Sequence, residues 1–268
     1  MAQAVGLVPG GSRFSVVEAD LTLPGCGLDD SERRRLRDTV ETVIHCAGET
    51  IFFPEAMAPF RSGHIDGPLD LLRGLGGGRL RRWVHLSTAY VCGRRSGLVL
   101  EREGEVGQRF HNPYEQVKLE SEAAMRRAGA RLGVDVRVIR PSIVVGPAPE
   151  TAGGHPSNLF FGFIRMVAAL GKLSNGSEVP LRILASPRAR FNIVPVDYVA
   201  AAAVALAAHP EGQGETFHVV ASAAPTQEAM LAMIAERLSV RGLSLVDRRA
   251  PEPVAAGAEG RADPLRLP

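Results

Sequence analysis

Trp83-Val84-His85-Leu86-Ser87-Thr88 is the stretch on which the fold turns. Its first four residues read as a short buried strand, and they run straight into two hydroxyls. Two segments of the same kind flank it. Thr42-Val43-Ile44-His45-Cys46 lies upstream and stops at Ala47-Gly48; Val134–Ile139 lies downstream and stops at Arg140-Pro141. Helical stretches separate them. Asp29–Val40 is polar and arginine-rich, with Asp29 or Ser31 as N-cap. A second helix runs from Glu55 to Leu72, weakened by Pro59, Gly63 and Gly67 and closed by the glycine-rich Gly74–Gly78. Tyr114 to Arg131 has the periodicity of a long helix. Val196–Ala208 and Gln227–Leu238 read as helices around a strand at Glu215–Val220. Phe14–Ala19 reads as a buried strand ahead of them all. Short β-branched strands alternating with helices predict βαβ units, right-handed crossovers and an α/β fold on a parallel sheet.

Composition narrows the function. The 268 residues are 45% apolar and 22% charged, which excludes extended disorder and fibrous architectures. With 31 basic and 29 acidic side chains the net charge is +2, which is no nucleic-acid footprint. The longest apolar run, Val199–Ala208, falls short of the roughly 20 residues that span a bilayer. Met1 to Gly11 has no basic segment ahead of an apolar core, so it does not read as a signal peptide. Three scattered cysteines (Cys26, Cys46, Cys92) and no Cys-x-x-Cys or His-Glu-x-x-His spacing predict reduced thiols, no metal site and a cytoplasmic protein. One oddity remains. Arginine occurs 29 times and lysine only twice, at Lys118 and Lys172, so each lysine invites a chemical question.

Lys118 follows Tyr114 by four residues, which places both on one face of a helix. An ammonium beside a phenol favours the phenolate and lowers a pKa that is ordinarily about 10. Such a tyrosine can exchange a proton near neutral pH. The alternative is a surface pair with no role. Ser87 and Thr88 leave a strand at its carboxyl end, where open parallel sheets bind ligands. Either hydroxyl could bond a substrate carbonyl together with Tyr114, or cap a helix or turn instead.

Six segments, in order, resemble the extended short-chain dehydrogenases/reductases, and most closely their thioester-reductase and fatty acyl-CoA-reductase branch (male-sterility-type NAD-binding domains). They are Glu18-Ala19-Asp20-Leu21-Thr22, Val43–Gly48, Val84–Val91, Asn112–Lys118, Arg140–Gly146 and Val194–Ala200. The resemblance implies a Rossmann-type doubly wound parallel sheet with a small C-terminal substrate lobe. It implies Tyr114 as general acid, Lys118 as the residue that lowers its pKa and holds a cofactor ribose, and Thr88 as the second carbonyl donor, with Ser87 as competitor. Asp20 and Leu21 would sit near the adenine. Ala47 and Gly48 would let the backbone approach the cofactor. Pro141, Ser142 and Ile143 would contact the nicotinamide end. The implied reaction is hydride transfer from NADPH, with NAD as the alternative, to an acyl thioester on CoA or an acyl carrier protein. The hemithioacetal then collapses to aldehyde and thiol, and the aldehyde can be reduced further to alcohol.

Two features depart from that family. The opening strand, glycine-rich turn and helix that hold the pyrophosphate have no counterpart. Gly6-Leu7-Val8-Pro9-Gly10-Gly11 has the wrong spacing, and Phe14–Ala19 matches the family's third strand. Three explanations stand: a mis-assigned start or truncated chain, a decayed or repurposed fragment, or another chain that supplies the unit; a homo-oligomer is the other expected assembly. In Gly63-His64-Ile65-Asp66-Gly67-Pro68, histidine replaces the family's usual asparagine and proline its threonine. The proline is expected to kink the helix.

The expected organisation is an incomplete NAD(P)-binding core with the catalytic residues over 1–146. A substrate lobe interleaved with the last core strand follows over 147–247, and a disordered tail over 248–268. Phe160, Phe161, Phe163, Ile164, Met166 and Val167 could line an acyl or pantetheine pocket or simply pack the lobe. Phe52-Phe53 poses the same choice. Besides the thioester reductase, two readings remain: an extended reductase or epimerase acting on a ketone, sterol or sugar nucleotide, and a non-catalytic Rossmann binding module.

Overall fold

Trp83 and Val84 are neighbours in sequence, both fully buried, and belong to different cores. That alternation requires a strand covered on both faces. The computed structural model describes residues 15–146 and 159–247. Its elements begin with α1 (Asp30–Thr39), β1 (Thr42–His45), α2 (Met57–Arg61), α3 (Gly67–Leu75), β2 (Arg82–Leu86), α4 (Pro113–Leu132), β3 (Asp135–Pro141) and β4 (Ile143–Val145). They continue with α5 (Leu159–Leu173), β5 (Arg182–Leu184), β6 (Ile193–Pro195), α6 (Val196–Ala208), β7 (Thr216–Val219), α7 (Gln227–Leu238) and β8 (Ser244–Val246).

The main sheet has the order β1-β2-β3-β7, every pair parallel. On one face Trp83 and Val136 pack with Leu72 and Leu75 of α3 and Met125 and Ala128 of α4, and Leu36 of α1 joins them. On the other face Val84, Ile139 and Val219 pack with Val199 and Ala203 of α6. Each large side chain so buried contributes about 1.5–3 kcal/mol. A buried arginine pins α6 in place. Arg137 is fully buried, bonds Asp135 at 2.8 Å and donates through Nη1 to the carbonyls of Leu206 (2.6 Å) and His209 (2.8 Å). It supplies positive charge to the C-terminal end of a helix whose own last turn has no basic residue.

Most expected elements form with nearly the expected bounds. Three differ. Ser15–Asp20 is irregular, and Val16 is 75% exposed, so the strand expected at Phe14–Ala19 is not there among the described residues. A strand needs a ladder to join, and β1, the outer strand on that side, pairs among the described residues only with β2. The helix expected over 55–72 becomes α2 and α3 joined by a π turn at Ser62–Asp66. Glycine and the ring of Pro68 weaken the regular ladder there, and the wider turn absorbs the break. Finally, β3 runs on through Arg140-Pro141. Pro141 stands opposite Val219 at the strand's end, and the next amide, Ser142, donates to Val219. The expected tail at 248–268 and the Gly6–Gly11 segment lie outside the described residues.

The chain divides into two units, Met1–Ile164 with Asn192–Ala224, and Arg165–Phe191 with Pro225–Pro268. The first holds the main sheet and the parallel pair β4–β6. The second holds the parallel pair β5–β8 and α7, which Thr226 caps through the Ala229 amide. Gly242 in this unit, at φ +88°, sits where a Cβ would strike the Val179 carbonyl at 2.6 Å. Among the described residues no helix is long and apolar enough to cross a membrane, and no three metal-ligating side chains converge.

Candidate active site

The first turn of α4 is held by reciprocal capping. Asn112 accepts from the Glu115 amide at 3.0 Å, and the Glu115 carboxylate accepts from the His111 amide at 2.9 Å and Asn112 Nδ2 at 3.2 Å. Pro113 occupies the position where a missing N–H costs nothing. This fixes where Tyr114 leaves the helix. Its ring packs against Phe52 (5.8 Å between centroids) and, edge-on, against His64 (6.3 Å).

One turn on, Lys118 is buried and donates to the carbonyl of Leu86, the last residue of β2, at 2.7 Å. Burial pulls its ammonium down to about 8, and Glu122 partly opposes this. Burial pushes the phenol of Tyr114 up to about 12. The expected lowering of the tyrosine pKa is therefore reversed. The lysine aims at a backbone carbonyl, and desolvation of the phenolate governs the ring.

Ser87 and Thr88 follow β2 directly, and both are buried. Thr88 Oγ1 accepts from the Tyr90 amide at 3.2 Å and caps the short 3-10 turn Ala89–Cys92, so the capping alternative is realised. Its hydroxyl hydrogen remains available to donate. Among the described residues Ser87 Oγ has no partner, and neither does Ser142 Oγ at the end of the adjacent β3. Two orphaned buried hydroxyls at neighbouring strand ends suit a polar ligand group placed there. Pro141 is buried beside Ser142, and Ile143 opens β4.

Ala47 and Gly48 follow β1 and are exposed. Gly48 adopts φ +150°, a conformation that favours glycine, with the ring of His64 against it. Asp20 and Leu21 lie in the loop before α1. Asp20 accepts from the amide and hydroxyl of Thr22, which hold its carboxyl below the usual range. The Leu21 carbonyl lies where a Cβ on Gly67 would be 2.1 Å away, so this loop rests on the start of α3. No hydrogen bond among the described residues joins Asp20 or Leu21 to Tyr114 or Lys118. The residues after β1, β2 and β3 thus share the sheet's carboxyl edge, with α4 bringing Tyr114 and Lys118 toward it.

Behind that edge lies a buried histidine cluster that the sequence reading did not single out. His45 and His85 face each other (5.3 Å), and Ser121 of α4 lies 3.2 Å from His85 Nε2. Burial, with Lys118 nearby, holds His45 down to about 4 and His85 well below its ordinary value. The signal was present: His45 and His85 both sit at strand positions among apolar residues.

A parallel sheet covered by helices on both faces, with glycine and hydroxyl groups at its carboxyl edge, is the architecture of a Rossmann-type nucleotide-binding domain. Residues 9–203 match the NAD-binding family model described as Male sterility protein, and the chain belongs to that family. It is similar to the carboxylic acid reductase of Mycobacterium tuberculosis, 23% identical over 224 residues that make up 79% of this chain and 19% of that protein. The chain spans 14–20% of the length of the curated relatives it matches. Among solved structures it resembles the terminal R domain of the myxalamid PKS-NRPS pathway, with TM-score 0.68 and 24% identity, covering 86% of this chain and 55% of that one. It also resembles RMD from Pseudomonas aeruginosa, solved with NADPH, with TM-score 0.63 and 23% identity, covering 93% and 77%.

Proposed function

We propose that this chain reduces an acyl thioester, carried by CoA or an acyl carrier protein, to an aldehyde or alcohol with NADPH as donor and NADH as the alternative. One observation carries the reading. Tyr114 and the buried Lys118 lie one turn apart on α4, and Lys118 bonds the last carbonyl of the strand that delivers Ser87 and Thr88. When bound, the nicotinamide supplies the hydride. A phenol with a pKa of about 12 stays protonated at neutral pH and can donate to the carbonyl oxygen. Thr88 adds a second donor to the same oxygen. Ser87 remains its competitor.

The orphaned hydroxyls of Ser87 and Ser142 fit the polar end of a nicotinamide. We assign Pro141, Ser142 and Ile143 to that end, Ala47 and Gly48 to close backbone approach, Lys118 to a ribose hydroxyl, and Asp20 and Leu21 to the adenine side. We assign residues 1–146 to the cofactor core and 147–247 to a substrate lobe interleaved with the last core strand. The relatives named as a carboxylic acid reductase and an R domain support an acyl-level substrate. Three free thiols support a reducing, cytoplasmic setting.

The test is to incubate the full chain with NADPH and acyl-CoA, and with carrier-bound acyl thioester, and to measure free thiol against NADPH consumed. One thiol released per NADPH oxidised is expected for an aldehyde product, and one per two NADPH for an alcohol. The absence of thiol release with every thioester overturns the reading.

A further inference from the structure

Gly48 and His64 are fitted to one another. A Cβ on Gly48 would lie 3.1 Å from His64 Nε2. The same nitrogen is 3.0 Å from the carbonyl of Glu49, and Nδ1 is 2.9 Å from the carbonyl of Phe60. The ring is buried, stacked on Phe60 at 4.3 Å between centroids and edge-on to Tyr114. The backbone carbonyl of His64 accepts from Ser121 of α4 at 2.6 Å. Among the described residues, no other hydrogen bond ties Ala47–Thr50 to the rest of the chain. One residue therefore connects the turn after β1 through its side chain, and the helix that carries Tyr114 through its backbone carbonyl, to the π turn.

We infer that His64 is a positioning residue: through Nε2 it holds the Gly48–Glu49 turn in register with Tyr114. The inference rests on the reading above, in which that turn lies against the cofactor. A neutral imidazole donates through one nitrogen only. Donation to Glu49 holds the turn, whereas donation to Phe60 serves only the helix.

Glutamine and asparagine separate the two roles. A glutamine amide reaches about as far as Nε2, and an asparagine amide only about as far as Nδ1. In His64→Asn, NMR order parameters of the Gly48, Glu49 and Thr50 amides are expected to fall below about 0.6, while His64→Gln keeps them near about 0.85. His64→Ala, which removes Nε2 and leaves the Gly48 backbone unstrained, should loosen the turn as His64→Asn does, and it carries the test should the buried asparagine prevent folding. By fluorescence titration, NADPH affinity should weaken about tenfold in His64→Asn and His64→Ala and stay within about twofold in His64→Gln, the loss of one hydrogen bond. Equal order parameters in the asparagine and glutamine variants, whether high or low, overturn the inference. If the unaltered chain does not bind NADPH, the functional reading falls, and the order parameters still judge the clamp.

Discussion

Lys118 donates to the carbonyl of Leu86 at 2.7 Å, and this bond ties the second turn of α4 to the end of β2. A buried ammonium needs an acceptor, and Leu86 provides one at the point where the strand gives way to Ser87 and Thr88. The lysine thus joins the two segments that carry the candidate chemistry.

Tyr114→Phe removes the proposed acid and, among the described residues, no hydrogen bond. Thioester reduction should drop by about 10²–10⁴-fold, with stability within about 0.5 kcal/mol of the unaltered chain. Thiol release and thermal melts measure the two. Activity above about a tenth of normal, set against that general-acid range, would remove Tyr114 from the role.

Lys118 gives a pH signature. Its folded pKa of about 8 lies below the ordinary 10.5. Between those values the unfolded chain holds a proton that the folded chain has released, so stability rises with pH across that window and is flat below it. Lys118→Met should abolish that rise, worth up to about 3 kcal/mol. Denaturant melts of both proteins from pH 7 to pH 11 check it; parallel curves would contradict the buried lysine.

Arg140 and Glu122 form a buried bidentate pair at 3.0 and 2.7 Å, and Arg140 also donates to the Glu103 carbonyl at 2.9 Å. Glu122→Leu strands the guanidinium and should cost about 3–5 kcal/mol, whereas adding Arg140→Met should restore most of the loss. Urea midpoints of single and double variants decide it, and a double variant no better than the single rejects the stranded-charge account.

Gly67→Ala places a methyl 2.1 Å from the Leu21 carbonyl. The loop bearing Asp20 must shift, at a cost of about 1–3 kcal/mol. If that loop serves the adenine side, the KM for NADPH rises while kcat changes little. An unchanged KM in a folded variant would dissociate Asp20 and Leu21 from the cofactor.

Much of this was legible in the chain itself. Periodicity located α1, β1, β2, α4, α6 and α7, because burial on one or both faces writes a period into the residues. The four-residue spacing of Tyr114 and Lys118 follows from helix geometry alone, and lysine's scarcity marked Lys118 as a residue to explain. Local pattern could not say whether Phe14–Ala19 would find a strand to pair with, since pairing belongs to the neighbour. Nor could it give the sign of the shift at Tyr114, which depends on which atoms surround the phenol and where the ammonium points. The link from His64 to the turn after Gly48 joins residues 15 or more positions apart, and only the packing of α4 against the sheet brings them together. The sequence by itself determined the elements and the residue types of the site; the tertiary structure decided their partners, because desolvation and hydrogen bonding act on distances that spacing along a chain does not contain.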